Sequence, residues 1–570
     1  MRRVLSLLLI AAAIPAWSAH PVRAKKGMVV TVEPHATEVG LQILAAGGNA
    51  VDAAVAVGFA LAVTHPGAGN IGGGGFMLLR MADGRTAFID FRERAPLAAT
   101  RDMYVDAGKA TRDSMVGYRA SGVPGTVRGM EYAWQKFGSK NKNWGELVGP
   151  AMNLASVGYA VTDAEAQSMQ SAARGLSPYP ESNRIFLRGG KYYEMGDTFV
   201  QADLGRVLER IARIGAKDFY EGETATLLAK DQKEHGGLIT LEDLKQYKAI
   251  ERKPLTGKYR GYDIVTSPPP SSGGIGILQM LGVLEGTDFA KAGAGSAKSV
   301  HYMTEAMRHF FADRSQNLGD PDFVKVPLTA MLDPQYLLKI RGSIDPEKAT
   351  PSSQVKGTVF TGHESEQTTH YTVADQYGNV VAVTYTLNDQ YGNKITANGL
   401  GFLLNNEMGD FASQPGIADT SGRILGEADA IAPRKTPLSS MTPTIVLHDG
   451  KPFLALGSPG SQTIINTVLE TIVNVIDWKM NVQDAVNWPR FHHAWMPDTL
   501  AMEPGYSPDT IALLEKWGYT VKVGARQGDC DAILFSDGWM EGAADPRTGG
   551  LALGWDGKAW DGKAQVLPSK

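Results

Sequence analysis

The segment Gln367-Thr368-Thr369-His370-Tyr371-Thr372-Val373-Ala374-Asp375 decides how this chain is read. A polar, loop-like stretch, PSSQVKGTVFTGHESEQ (351–367), runs into it. THYTVAD (369–375) then reads as a strand, so Thr368 stands where an exposed linker meets a sheet. Cleavage of the Gln367–Thr368 bond would give Thr368 a free α-amine beside its own hydroxyl. One residue would then carry both nucleophile and base, a minimal catalyst for amide chemistry.

The next run, NVVAVTYTLN (379–388), folds back on the first. If Gln376-Tyr377-Gly378 is a three-residue hairpin loop with Gly378 left-handed, Asp375 faces Asn379. Thr368 then lies opposite Thr386, with Asn388 one step beyond. On strand statistics alone Thr369, Thr372, Thr384 and Thr386 are ordinary sheet formers, so the pattern leaves both readings open.

Upstream, residues 36–65 read as two helices broken at Gly47-Gly48, with Asn49 capping the second. That second helix is apolar almost all round and belongs in a core. GAGNIGGGGFMLLR (67–80) lacks the Lys-Ser/Thr of a phosphate loop and leads into a strand, so its glycines mark close backbone approach in a sheet. FMLLRMADG and RTAFIDF form a hairpin around Ala82-Asp83-Gly84, with Arg92 at its end. Residues 120–350 read as mostly helical, with charged faces taken as solvated surface, interrupted by SPPPSSGG (267–274). After Thr368 the chain is strand-rich. The first part lacks strands for a sheet and the second lacks helices to cover one, so the two are expected to share one layered α+β core.

With 43% apolar and 20% charged residues the chain is globular, and a net charge of −4 without a basic stripe argues against nucleic acid as a partner. Arg2-Arg3 followed by an apolar run from Val4 to Trp17 reads as a secretory signal occupying 1–24, with cleavage after Ser18, Ala19 or Ala24. The run is short for a membrane anchor, which needs about 20 residues. A single cysteine, Cys530, excludes an intrachain disulfide and is read as a packed thiol. His492-His493 lacks the company of a metal motif and is assigned to packing. GSPGS (457–461) does not fit the serine nucleophile elbow G-x-S-x-G.

DFRERAP (90–96), PPPSSGG (268–274), QTTHYTVAD (367–375), VTYTLN (383–388), LLNNEMGDF (403–411), PLSSMTPTIV (437–446), GSPGS (457–461) and NWPRFHH (487–493) together resemble γ-glutamyltransferase. The resemblance implies an N-terminal-nucleophile hydrolase with a four-layer αββα sandwich. It implies a proenzyme that cleaves itself before Thr368 into a large subunit, 25–367, and a small one, 368–570, which stay together as a heterodimer. It implies γ-glutamyl donors such as glutathione, acceptors that are water, amino acids or peptides, no metal or organic cofactor, and a periplasmic or secreted location.

By the same resemblance Thr368 is the nucleophile, Thr386 a second catalytic hydroxyl, and the N–H groups of Gly460 and Ser461 the oxyanion donors. Ser461 replaces the glycine of the commoner bacterial pattern. Arg92, with Ser439 and Ser440, would bind the α-carboxylate, and Asn388, Glu407 and Asp410 the α-ammonium. Read without the family, Arg92 is an ion pair with Glu93, the acids a solvated loop and the serines a turn. Residues 412–436 would form a lid, with Ser421 near the place of an aromatic residue in the bacterial enzymes. A glutaryl-type cephalosporin acylase shares the fold and nucleophile logic, and a catalytically dead binding protein is the rival of another class.

Overall fold

The computed structural model describes residues 19–355, 368–417, 426–524 and 526–557. Strands Thr369–Asp375 and Val380–Thr386 pair antiparallel, with Thr369 opposite Tyr385 and Ala374 opposite Val380. Gly378 adopts φ 92°, a conformation that costs other residues more, and its N–H donates to the Asp375 carbonyl. The loop is therefore the expected three-residue one. Every residue of both strands is buried, which accounts for a β-branched and aromatic run without alternating charge.

Two seven-stranded antiparallel sheets form the inner layers. One runs, in spatial order, Leu551–Trp555, Gly27–Thr31, Thr369–Asp375, Val380–Thr386, Gly74–Arg80, Thr86–Asp90 and Ile250–Arg252. The other runs Val22–Ala24, Trp539–Ala543, Asp531–Ser536, Lys451–Gly457, Thr444–His448, Tyr262–Thr266 and Leu255–Tyr259. Each sheet mixes strands from before and after Thr368, so neither part has a core of its own.

Side-chain alternation fixes the layering. Met28, Val30, Phe76, Leu78 and Phe88 of the first sheet meet Val265, Ile445, Ala455 and Ile533 of the second. Val29 points the other way, into the helices that include Ala50–Thr64. That helix is wholly buried, and the hydroxyls of Tyr371 and Tyr385 donate to its Ala54 and Gly58 carbonyls. Asn49 and Asp52 form a capping box at its start, a contribution of about 1 kcal/mol. Helices Gly273–Leu284, Ala297–Asn317 and Thr463–Ile476 cover the second sheet. The stack is αββα.

The glycines of 72–75 are required by close approach: a Cβ on Gly73 would fall 2.2 Å from the Thr386 carbonyl oxygen, and one on Gly75 2.4 Å from that of Thr384. One expectation is corrected. The chain before Thr368 supplies half of the strands, including Ile250–Arg252, Leu255–Tyr259 and Tyr262–Thr266 in a region read as helical. Ile250–Arg252 and Leu255–Tyr259 are edge strands, and the charges and Pro254 that protect such edges also hide them in the sequence.

Among the described residues no helix is long and apolar enough to cross a membrane. Residues 1–18 of the expected signal, Gln367, and Ser421 of the expected lid lie outside the described residues. Described residues of that stretch are tied to one another: the Ala412 N–H donates to the Asp429 carbonyl, and the Lys435 ammonium to those of Ala428 and Ala430.

Candidate active site

Thr368 immediately precedes its strand, and continuing the observed register by one residue sets it against Thr386. It lines a cavity of about 500 Å³ together with Gly460 and Ser461. These two residues lie in the short turn that joins strand Lys451–Gly457 to helix Thr463–Ile476. Backbone N–H groups at such a helix start are unpaired within the helix and sit at its positive end. Gly460 takes φ 122°, and a Cβ there would meet the Thr463 hydroxyl oxygen at 2.5 Å and Gly528 Cα at 3.1 Å. Ser461 takes φ 57°, a left-handed conformation unusual for a residue with a side chain.

Thr386 is buried at the far end of the hairpin, where its Oγ1 accepts the Asn388 N–H at 2.8 Å. Asn388 is itself left-handed, which Asn tolerates, and its Nδ2 donates to the Asn406 carbonyl at 3.0 Å. Asn406 adjoins the 3-10 turn Glu407–Asp410. The threonine end of the hairpin is thus linked to the acidic turn through two hydrogen bonds.

Arg92, 2% exposed, reaches that same turn. Its Nη1 lies 2.5 Å from Glu407 Oε1 and its Nη2 2.5 Å from Asp410 Oδ2, whereas Glu93 Oε2 is 4.0 Å away. The simple Arg92–Glu93 pair is therefore the weakest of the three contacts. Nε and Nη2 also donate to the carbonyls of Pro437 and Leu438, each at 3.2 Å. Burial pushes the Glu93 carboxyl up to about 8 and raises Glu407 well above the usual carboxylate range. With Glu93 and Glu407 pushed toward the protonated form, the three carboxyl groups offer acceptor oxygens around the guanidinium rather than a surplus of charge.

Ser439 and Ser440 follow directly. Ser439 Oγ accepts the Met441 N–H at 3.1 Å, and Ser440 Oγ accepts from Arg314 Nη2 at 3.1 Å. Arg314 Nε also donates to Ser272 Oγ, whose hydroxyl donates to the Ser439 carbonyl. Arg314 and Ser272 brace the serine pair, and neither was singled out from sequence. Arg314 sits in a helix whose charges read as a solvated face, although Ser272 falls in the quoted PPPSSGG motif.

Two groups emerge. Thr368, Gly460 and Ser461 share the cavity, while Arg92, Asn388, Glu407, Asp410, Ser439 and Ser440 are absent from its lining and form the adjoining cluster. The cavity adds residues without a local sequence signal. His65 is kept neutral by burial, which lowers it to about 4, and burial pushes Asp529 up to about 8. His492 also lines it, with Nδ1 2.6 Å from Asn466 Nδ2, while His493 packs against Arg308 and Asp498. Among the described residues no three His, Cys, Asp or Glu side chains are grouped to hold a metal. Cys530 is buried and its thiol pushed up to about 12, which makes it a packing residue.

The γ-glutamyltranspeptidase family model matches residues 36–555. A glutathione hydrolase proenzyme of Escherichia coli is 50% identical over 533 residues, 93% of this chain and 92% of that protein. Among solved structures, cephalosporin acylase from Bacillus halodurans superposes with a TM-score of 0.84 at 25% identity, covering 97% of this chain and all of that one. The Helicobacter pylori γ-glutamyltranspeptidase structure gives 0.56 at 46% identity, covering 59% of this chain and 96% of that one.

Proposed function

Because the chain belongs to the γ-glutamyltranspeptidase family, we propose that it cleaves itself before Thr368 and then transfers γ-glutamyl groups from glutathione and related donors. In maturation the Thr368 hydroxyl attacks the Gln367 carbonyl, the acyl group passes from nitrogen to oxygen, and water hydrolyses the ester. The two parts remain joined because both inner sheets are built from each of them. The same hydroxyl then attacks the donor's γ-carbonyl, with the new α-amine as base. An unperturbed terminal amine titrates at about 7.7–8.0, close to working pH. Water releases glutamate, and an amino acid or peptide takes the group instead in transfer.

The observation that carries this reading is the shared cavity of Thr368 with the Gly460–Ser461 turn at a helix start. Backbone donors fixed there stabilise the oxyanion without reorganising. Arg92, Ser439 and Ser440 take the α-carboxylate of the glutamyl group, and Asn388, Glu407 and Asp410 its α-ammonium. Export through a signal peptide places the enzyme in the periplasm or outside the cell. Purified protein should run as two bands, one of which starts Thr-Thr-His-Tyr, and should release glutamate from glutathione. Thr368→Ala should abolish both events and Thr386→Ala should slow both. An intact chain with full donor turnover would refute the nucleophile.

The acylase likeness supports a second reading, a glutaryl-type acylase. The carboxyl oxygens of Glu407 and Asp410 beside Arg92 favour a head group bearing an ammonium donor. Comparing γ-glutamyl-anilide with glutaryl-anilide hydrolysis separates the two.

A further inference from the structure

The cavity that contains Thr368 has a wall that the glutamyl chemistry leaves unused. Lys522, from strand Val521–Val523, and Arg526, just beyond it, both line it. Among the described residues neither cation has a carboxylate partner. Arg526 Nη1 donates to the Arg547 carbonyl at 3.2 Å, and Lys522 makes no hydrogen bond or ion pair there. The single carboxyl group in the lining is Asp529, whose Oδ2 accepts the Thr548 hydroxyl at 2.5 Å. Burial pushes Asp529 up to about 8, so near neutral pH it offers little negative charge. Helix Thr463–Ile476 begins in the same lining and adds its positive end.

Two cations without counter-charge, lining the same cavity of about 500 Å³ as a helix N-terminus, suit an anion. The space accommodates a dipeptide. We propose that Lys522 and Arg526 recognise the terminal carboxylate of the group on the far side of the scissile bond. That group is the departing dipeptide of the donor in the first half-reaction and the incoming acceptor peptide in the second. The inference rests on the γ-glutamyl transfer reading, and it assigns these two residues to specificity. The carboxylate has two sources, donor and acceptor, and the ammonium and guanidinium reach either through long side chains.

The test compares kcat/KM for glutathione, whose leaving group ends in a carboxylate, with that for γ-glutamyl-p-nitroanilide, whose leaving group carries none. In the Lys522→Ala/Arg526→Ala protein the ratio of the two should fall about tenfold, the scale of a lost charge-assisted contact. In the parent, added salt should narrow the same ratio. On the acceptor side, the parent should prefer glycylglycine to glycylglycine amide, and the double variant should lose that preference. Ligand-observed NMR titration of glycylglycine into the Thr368→Ala chain, with and without the two substitutions, reads binding independently of turnover. Both ratios and the titration unchanged in a variant of normal thermal stability would overturn the proposal. A parent that turns over neither donor would sink the activity reading, while the titration would still decide this one.

Discussion

Arg92 Nη2 lies 2.5 Å from Asp410 Oδ2, which ties the end of the second hairpin strand to a turn more than 300 residues later. The guanidinium is buried and answers to Glu407 as closely as to Asp410. Removing one member of such a cluster strands the others. Arg92→Ala should cost about 3–5 kcal/mol of stability because it removes the common partner of the Glu93, Glu407 and Asp410 carboxyl groups. Asp410→Asn keeps the shape and one acceptor. It should raise KM for a γ-glutamyl donor about tenfold or more, the worth of a hydrogen bond to a charged group. Urea unfolding and steady-state kinetics measure the two. An Arg92→Ala protein as stable as its parent would contradict the buried network.

Ser461 occupies a left-handed backbone conformation, at φ 57°, in the cavity that Thr368 also lines. That conformation costs a residue with a Cβ roughly 1–2 kcal/mol. Glycine relieves the strain but loses roughly 0.4–1 kcal/mol through the unfolded chain. Ser461→Gly should therefore be neutral to about 1 kcal/mol stabilising, an unusual result for a substitution at a buried site. Thermal melts check it. A drop of more than 1 kcal/mol would mean that the serine hydroxyl holds the turn.

The central hairpin and its register were legible because Gly378 fixes the loop, and the loop fixes which residues face each other. The buried helix at 50–64 was legible for the same kind of reason, an Asn49 cap and an unbroken apolar surface. Leu255–Tyr259 was not, since an edge strand carries charge that imitates a solvated helix face. Arg314, His65 and Asp529 escaped for a different reason. Their role comes from tertiary placement: Arg314 meets Ser440 across 126 residues of sequence, and the cavity that His65 and Asp529 line draws on segments from residue 32 to residue 548. No local pattern reports such a gathering. Most of the residues proposed to bind the glutamyl group became candidates through the motif resemblance, because Arg92 taken singly reads as an ion pair with Glu93 and Glu407 as an acid on a solvated loop.

The amino terminus makes a choice among the signal cleavage points testable. Val22–Ala24 pairs with Met540–Gly542 as an edge strand, Ala24 is 1% exposed, and the Ala19 N–H donates to Asp484 at 3.0 Å. Cleavage after Ser18 or Ala19 keeps this strand, and cleavage after Ala24 discards it. The mature chain of the proposed export route should begin at Ala19 or His20, which N-terminal sequencing would show. A form starting at Lys25 should be less stable by roughly 1–2 kcal/mol, from lost strand pairing and burial. Equal unfolding midpoints for the two forms would remove the structural ground for this choice.

Stability should also fall as pH rises from about 6.5 to about 8. Glu165 shows the cause in isolation. It is buried against Tyr159, whose hydroxyl donates to it, and burial pushes its carboxyl from 4.5 up to about 8. The folded protein therefore holds a proton that the unfolded chain has already released. The resulting stability is complete below the unfolded value and is lost as pH climbs through the folded one. Glu93 and Asp529, also pushed up to about 8 by burial, act in the same direction. His65 and His370, lowered by burial to about 4 and about 3, act oppositely, but only below the ordinary imidazole value of 6.5. The window above 6.5 isolates the carboxyl groups. Each contributes a slope of up to about 1.4 kcal/mol per pH unit there. Glu165→Gln should flatten the dependence by about one such increment while keeping an acceptor for Tyr159. Urea midpoints at pH 6.5 and 8 for the two proteins give the comparison, and parallel slopes would show that Glu165 is ionised in the folded state.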